Sequence, residues 1–397
     1  MVAIVTDVRF RMSLALIRDL AQMGVEVITC EGERCRDNPA APALGGLSRC
    51  AARHVWLPEG EGGREALLAL CRETGAERGC RPALLPVGAA TLAALAEDRA
   101  CFDQVCGLCI PSGEQLALFN DKERVARLAE ELGIPAPERF VREAGESWRD
   151  FARRLPLPCV VKPVCGERLG LRAADRYAVA SSPEEAEAAC GRFESLAGED
   201  PVVQRFLPGG GWGCSVLARE GHVMATICHR RIREYPVTGG PSSCCVCIDR
   251  PALRAHVKRA VERTGYTGLA MFEFKEDADG IPRLLEVNPR IWGTFPLTRA
   301  TGSGISYLWC ALAWNAGNPD RQVPLPIALP PRRKKMIFAV SDLMASAGYA
   351  RRGRPWMALW ALRDFLNPGV RDGVFEWGDP RPGMAYLRSL LTKERRR

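Results

Sequence analysis

Gly268-Leu-Ala-Met-Phe-Glu-Phe-Lys275 is followed by a turn at Asp277-Ala-Asp-Gly280 and then by Arg283-Leu-Leu-Glu-Val-Asn-Pro-Arg290. Both arms have period-2 character, and the Asp-Gly pair between them predicts a β-hairpin. On the first arm Phe272 and Phe274 face one way and Glu273 the other. On the second, alternation predicts Leu285 and Val287 on one face and Glu286 and Asn288 on the opposite one. Folding the hairpin therefore gathers Glu273, Glu286 and Asn288 on one surface. Two carboxylates and an amide oxygen are hard ligands of the kind Mg²⁺ takes, with phosphate oxygens and waters completing its octahedron. An exposed polar sheet face is the plainer alternative.

Upstream, Pro158-Cys-Val-Val-Lys-Pro163 reads as an apolar strand ending in Lys162, followed by the loop Cys165-Gly-Glu-Arg-Leu-Gly170. A lysine leaving a strand beside a glycine-bearing loop is placed to meet phosphate, and backbone N–H groups there can add a concave anion site. The spacing of Val125, Leu128, Ala129 and Leu132 predicts a helix over 122–132, capped by Asp121 and ended by Gly133. Lys122 stands at its positive end, a second candidate for phosphate. Further strands are predicted at 201–207, 213–218 and 223–230.

The first hundred residues alternate strand and helix signals: strands at 2–5, 25–28 and 83–87, helices around Leu14–Ala21, Glu65–Thr74 and Ala89–Ala96. That alternation implies a parallel sheet covered on both faces. Its first turn, Thr6-Asp7-Val8-Arg9, lacks the GxGxxG that brings backbone against a pyrophosphate, so this layer is not expected to bind NAD. The C-terminal seventy residues read as helical, basic and tryptophan-bearing (Trp356, Trp360, Trp377).

The chain has 397 residues, 47% hydrophobic, 26% charged and 7% aromatic. These values exclude bulk disorder and suggest two or three domains. The longest stretch without a charge, 300–319, is interrupted by Gly302, Gly304, Asn315, Gly317 and Asn318, too polar for a bilayer helix. The start reads as a strand rather than a signal peptide, so a cytoplasmic protein is expected. Neither cysteine cluster, Cys101/Cys106/Cys109 or Cys244/Cys245/Cys247, gives paired CxxC elements at zinc-site separation, and a structural zinc is not expected. The formal net charge is +8, and the region from Pro331 onward carries 15 Lys and Arg against 6 Asp and Glu. Such a patch attracts nucleic acid, acidic lipid or an acidic partner, or is simply a solvated surface.

Taken in order, five elements resemble the ATP-grasp family. They are Asn-Asp-Lys122 opening a helix, Val-Val-Lys162-Pro with its glycine loop, Val-Val-Gln204-Arg-Phe-Leu207-Pro-Gly, Phe-Glu273-Phe, and Leu-Glu286-Val-Asn288-Pro-Arg290. The resemblance is strong over about 116–317. It implies an α/β Rossmann-like N-terminal layer (1–115) and a two-lobed α+β ATP-grasp domain (116–330), followed by a small basic helical C-terminal region (331–397). Within the middle domain, 116–205 includes the smaller nucleotide-clamping lobe and 206–330 the metal-binding lobe.

By that resemblance Lys122 and Lys162, with Gly166 and Arg168 of the loop, would meet the phosphates of ATP. Gln204, Arg205, Phe206 and Leu207 would form the hinge strand that reads adenine through its backbone. Glu273, Glu286 and Asn288 would hold one or two Mg²⁺, with Mn²⁺ as an alternative ion, and Arg290 would stabilise the transferring phosphoryl group. Arg231 and Arg233, expected on one strand face, and Ser242 would face the acceptor. The implied activity is ADP-forming ligation of a carboxylate to an amine through an acyl phosphate. A homodimer is compatible with the family, and neither a membrane nor nucleic acid is an expected partner. The rival readings are acid–thiol ligation on the same fold, and a non-catalytic ATP sensor whose basic tail binds nucleic acid or a protein.

Overall fold

The computed structural model describes residues 1–164, 169, 171, 175–237 and 239–395. Three sheets organise the chain. Strands β1 (Val2–Val5), β2 (Glu26–Gly32), β3 (Arg53–Leu57) and β4 (Ala83–Leu85) form a parallel sheet in the order β3-β2-β1-β4. All four residues of β1 are buried, as a central parallel strand with both faces covered requires. The strand β3 is half-exposed at the edge, and Arg53-His-Val-Trp-Leu57 gives no clean alternation by which to read it.

The second sheet holds β5 (Arg139–Phe140), β6 (Cys159–Lys162), β7 (Ala178–Ala180) and β8 (Val202–Arg205) in the order β5-β8-β6-β7. Cys159, Val161 and Val203 on one face pack under Phe151 and Phe193, carried by the helices Trp148–Arg153 and Pro183–Ala197. The third sheet has seven strands: β9 (Gly211–Arg219), β10 (His222–Glu234), β11 (Ser242–Cys247), β12 (Gly268–Glu276), β13 (Pro282–Asn288), β14 (Lys335–Ile337) and β15 (Val370–Asp372). Their order is β13-β12-β9-β10-β11-β14-β15. Trp212, Cys214, Val216, Phe272, Phe274 and Val287 form a back face under the helices Lys122–Glu131 and Pro251–Thr264. The first of these starts where expected: the Asp121 carboxylate accepts from the amides of Glu123 (2.8 Å) and Arg124 (3.0 Å).

Two expectations about organisation change. The C-terminal region is not only helical, because β14 and β15 extend the seven-stranded sheet by pairing onto β11. Strands of three residues carry too little periodicity to be seen in sequence. Nor does packing stop at residue 115. The helix Ile305–Gly317 lies across β4, and its Ile305, Leu308, Trp309 and Leu312 share one core with Ile4, Leu84 and Leu85. The fit is close at Gly107, where a Cβ would stand 1.9 Å from the carbonyl of Ala313. No helix among the described residues is long and apolar enough to cross a membrane.

Candidate active site

The hairpin forms as read, with Glu273 directly opposite Glu286 and Met271 opposite Asn288. One feature of it was not legible. The register slips by one residue after Glu273, so that Phe274 pairs with Leu284 and Leu285 is the extra residue of a β-bulge. Leu284 and Val287, not Leu285 and Val287, therefore enter the core beside Phe272 and Phe274. Glu286 and Asn288 keep their face, and the Leu285 carbonyl accepts from Lys162 Nζ at 3.4 Å. That contact shows that the helix-free faces of the small and large sheets look at each other.

Four cations close on the two carboxylates. Lys122 Nζ lies 3.9 Å from Glu286 and donates to the Val164 carbonyl at 3.3 Å. The guanidinium of Arg231 grips Glu273 through Nη2 and reaches Glu234 at 3.6 Å. Asn288 Nδ2 donates to Glu273 at 3.0 Å, and Arg290 Nη2 donates to Asn288 Oδ1 at 3.1 Å. Burial pulls Lys162 down to about 8, Glu286 opposing and Lys122 adding to the shift. Burial pushes Glu286 up, but Lys122, Lys162, Arg231 and Arg290 together hold it below the usual carboxylate range. Glu273 moves the other way: burial, reinforced by Glu286, raises it against the pull of Arg231.

The Arg231–Glu273 pair has a structural precondition. Arg231 sits on β10 and Glu273 on β12, with β9 between them. The guanidinium crosses β9 at Gly211-Trp-Gly213, where a Cβ on Gly211 would stand 2.9 Å from Arg231 Cδ and one on Gly213 2.3 Å from the His229 ring. His229 is fully buried and held down to about 3 by that burial and by Arg231, so it is neutral there. The two glycines leave the strand bare on the side where the chemistry gathers.

Among the nucleotide residues the structure separates those expected to act together. Gln204 stands opposite Arg139 and Val160, on the same face as Lys162, toward the carboxylates. Arg205 stands opposite Cys159, on the helix-covered face, and its side chain pairs with Glu138 (Nε 2.8 Å). Its amide donates to the Glu138 carbonyl and that of Phe206 to the Pro158 carbonyl, so neither amide is left to read a base. Leu207 follows, buried, in the crossing that carries the chain from the small sheet to the large one. There Gly209 and Gly210 are stitched to the backbone of Glu276, and Lys275 lies over the Phe206 ring at 5.1 Å. Gly166 and Arg168 lie outside the described residues.

The expected pairing of Arg231 with Arg233 on one face is overturned. On β10, Arg231 pairs with Cys245 and Arg233 with Cys244, so Ile232 is a bulge residue and the two arginines point to opposite faces. Arg233 is fully enclosed and bound to Asp342 (2.8 Å) and Asp364 (2.8 Å), away from any substrate. Ser242 pairs with Glu234 across the same ladder, and its Oγ is buried without a hydrogen-bond partner among the described residues, as is Arg231 Nε. Those two unmatched groups fit a polar ligand beside the carboxylates. Arg139, Lys275 and Tyr177, whose hydroxyl donates to the Gly239 carbonyl at 3.1 Å, join the cleft without any sign in the sequence. Only sheet pairing or loop packing brings them there.

The donor set suits Mg²⁺. Two carboxylates face each other on adjacent strands with an amide beside them, and the surrounding cations would receive phosphate oxygens. Among the described residues no three His, Cys, Asp or Glu side chains cluster to enclose a metal by themselves. An ion at Glu273, Glu286 and Asn288 would thus take its remaining ligands from phosphate and water.

Residues 198–329 match the family described as ATP-grasp in the biosynthetic pathway with Ter operon. The carbamoyl phosphate synthase large chain of Xylella fastidiosa is 30% identical over 206 residues, 48% of this chain and 18% of that one. The D-alanine–D-alanine ligase of Neisseria gonorrhoeae is 27% identical over 183 residues, 43% of this chain and 58% of that one. The biotin carboxylase domain of Hydrogenobacter thermophilus 2-oxoglutarate carboxylase, solved with MgADP, ADP and bicarbonate, superposes with a TM-score of 0.62 at 16% identity. That match covers 84% of this chain and 72% of the domain. The L-amino acid ligase of Bacillus licheniformis superposes at 0.54 with 19% identity over 79% and 73%. These matches support the ATP-grasp superfamily, the family model itself covering residues 198–329. The chain spans less than a fifth of the carbamoyl phosphate synthase chains and under three fifths of the D-alanine ligases that it matches.

Proposed function

We propose that this protein is an ATP-dependent ligase that activates a carboxylate as an acyl phosphate and joins it to an amine, releasing ADP and phosphate. The observation that carries the proposal is the opposed pair Glu273 and Glu286 faced by Lys122, Lys162, Arg231 and Arg290 in the cleft between two sheets. Phosphoryl transfer needs positioning and charge neutralisation more than a covalent nucleophile, and this cluster supplies both. The names of the relatives, D-alanine–D-alanine ligase and L-amino acid ligase, support the same chemistry. As a substrate, ATP places the reaction in the cytoplasm.

Lys122 and Lys162 would hold the β- and γ-phosphates. The substrate carboxylate, oriented by Arg231 and Ser242, attacks the γ-phosphorus; the bond to the β,γ-bridging oxygen breaks and ADP leaves. Arg290 faces the charge that develops on the transferring group. The amine then adds to the acyl carbon, phosphate departs and the amine proton is lost to solvent. Mg²⁺ held by Glu273, Glu286 and Asn288 would neutralise phosphate charge. Adenine recognition would fall to the Leu207 backbone and to Phe206 with Lys275 above it. Arg205 and Arg233 have no part in this assignment.

Chromatography of nucleotide products, with Mg-ATP and pooled carboxylates and amines, tests the proposal. ADP formed only when both pools are present supports ligation. AMP would mean adenylation and overturn the mechanism.

A further inference from the structure

The helix Trp356–Leu366, in the C-terminal region, buries only Ala361 and Asp364. Its outward face carries Trp356, Leu359, Trp360, Leu362, Phe365 and Leu366, each between 48% and 70% exposed. Six large apolar side chains exposed on three turns of one helix, with Arg363 among them, exceed the scatter normal on a protein surface. The helix does not lack support: the Asp364 carboxylate, on its inner face, binds Arg233 and Lys335 (2.7 Å), fastening it to β10 and β14. It is anchored and uncovered.

The exposed charges flanking this helix along the chain, from 351 to 371, are of one sign. Arg351, Arg352 and Arg354 lie just before the helix, Arg363 on it and Arg371 just after, all exposed. The acidic residues of the same stretch are spent inward. Asp342 and Asp364 are buried on Arg233, and the Asp372 carboxylate accepts from the amides of Ala339, Val374 and Phe375. A two-fold contact between copies would set this arginine rim against itself, because such an interface pairs the same patch on both subunits. An anionic surface reverses that sign. Tryptophan, phenylalanine and leucine over the uncovered part of a helix, with Arg363 among them and further arginines at its ends, is a composition that lies in the headgroup region of a bilayer.

We propose that the Trp356–Leu366 face docks this protein on an anionic lipid surface, its apolar side chains inserted at the headgroup boundary and its arginines on lipid phosphates. The binding is peripheral, and the acyl-transfer cleft stays on the aqueous side.

Cosedimentation of the full-length protein with vesicles tests this. Vesicles of three parts phosphatidylcholine to one part phosphatidylglycerol should carry the protein down at low ionic strength, and phosphatidylcholine alone should not. Arg351→Gln with Arg352→Gln should weaken the association by about thirtyfold, since each basic residue near an anionic surface contributes about a factor of five. Leu359→Glu with Trp360→Glu should abolish it, with circular dichroism and thermal midpoint unchanged because both residues are exposed. Brominated lipid should quench tryptophan emission in the wild type only. Absence of cosedimentation with the mixed vesicles overturns the proposal, as does undiminished binding by the Leu359→Glu, Trp360→Glu variant. So does a dimer in sedimentation velocity that this variant dissolves without any vesicle binding, which would assign the face to a second copy.

Discussion

Two arginine clusters lie back to back on strand β10, and they are built differently. Around Arg231, three carboxylates (Glu234, Glu273, Glu286) meet four cations (Arg231, Lys122, Lys162, Arg290), and the Glu286 side chain is 37% exposed. Around Arg233, two carboxylates meet two cations, and none of the Arg233 side chain reaches solvent. The balanced, closed cluster has neither spare charge nor access, and although Arg233 Nη1 lacks a hydrogen-bond partner among the described residues, its role is to hold structure together. The open one carries, among the described residues, a surplus of positive charge together with access to solvent, which suits a polyanionic ligand. Burial alone does not distinguish a site from a brace; charge balance and access do.

Removing an acid from the open cluster should have the largest effect. Glu286→Ala should leave the fold intact and lower Mg-dependent turnover by about a thousandfold or more, the scale of losing a preorganised charge partner in the transition state. Steady-state rates beside circular dichroism check it, and wild-type rates would break the assignment. Next comes the brace. Arg233→Ala strands two buried aspartates and should cost about 3–5 kcal/mol in urea unfolding, whereas Arg231→Ala should cost less, because Lys122, Lys162 and Arg290 remain beside the carboxylates, while crippling turnover. Equal destabilisation by both would erase the distinction between the clusters.

The third prediction concerns pH. The Lys162 ammonium attracts phosphate and its neutral amine does not, and in the free site it titrates at about 8. Below that pH the charge is already present, so nucleotide affinity should be flat. Above it, affinity should fall by up to about tenfold per pH unit, as the proton must be taken up on binding. Calorimetry across pH 7–10 reads this break, and Lys162→Arg should remove it. The smallest effect belongs to Arg205, on the wrong face of β8. Arg205→Ala should change nucleotide affinity by less than about threefold, the exposed ion pair with Glu138 contributing about 1 kcal/mol or less.

What the sequence made legible was what lies close along the chain. Glu273, Glu286 and Asn288 span one hairpin with an Asp-Gly turn, and period 2 sufficed to gather them. Lys122 and Lys162 were found through their own local signals, a capped helix start and a strand end. The failures share one cause. Leu285, Ile232 and the face of Arg205 depend on strand register, and a bulge leaves no mark in composition or hydropathy. Arg139 and Lys275 join the cleft only through sheet partners distant in sequence. The arginine-rimmed helix was seen as basic and tryptophan-bearing, but which of its faces is uncovered is decided by Arg233 and Lys335 binding Asp364.

The extra residue at Ile232 is a place where β10 can change length without turning its arginines over. Deleting Ile232 would remove one ordinary aliphatic side chain and hardly alter the strand's hydropathy. It would also bring the two arginines onto consecutive positions, which point to opposite faces and match Cys245 and Cys244 just as the bulged strand does. Substitutions at 232 can drift, and a one-codon deletion there would straighten the strand while leaving Arg231 turned to the cleft and Arg233 to the C-terminal helices.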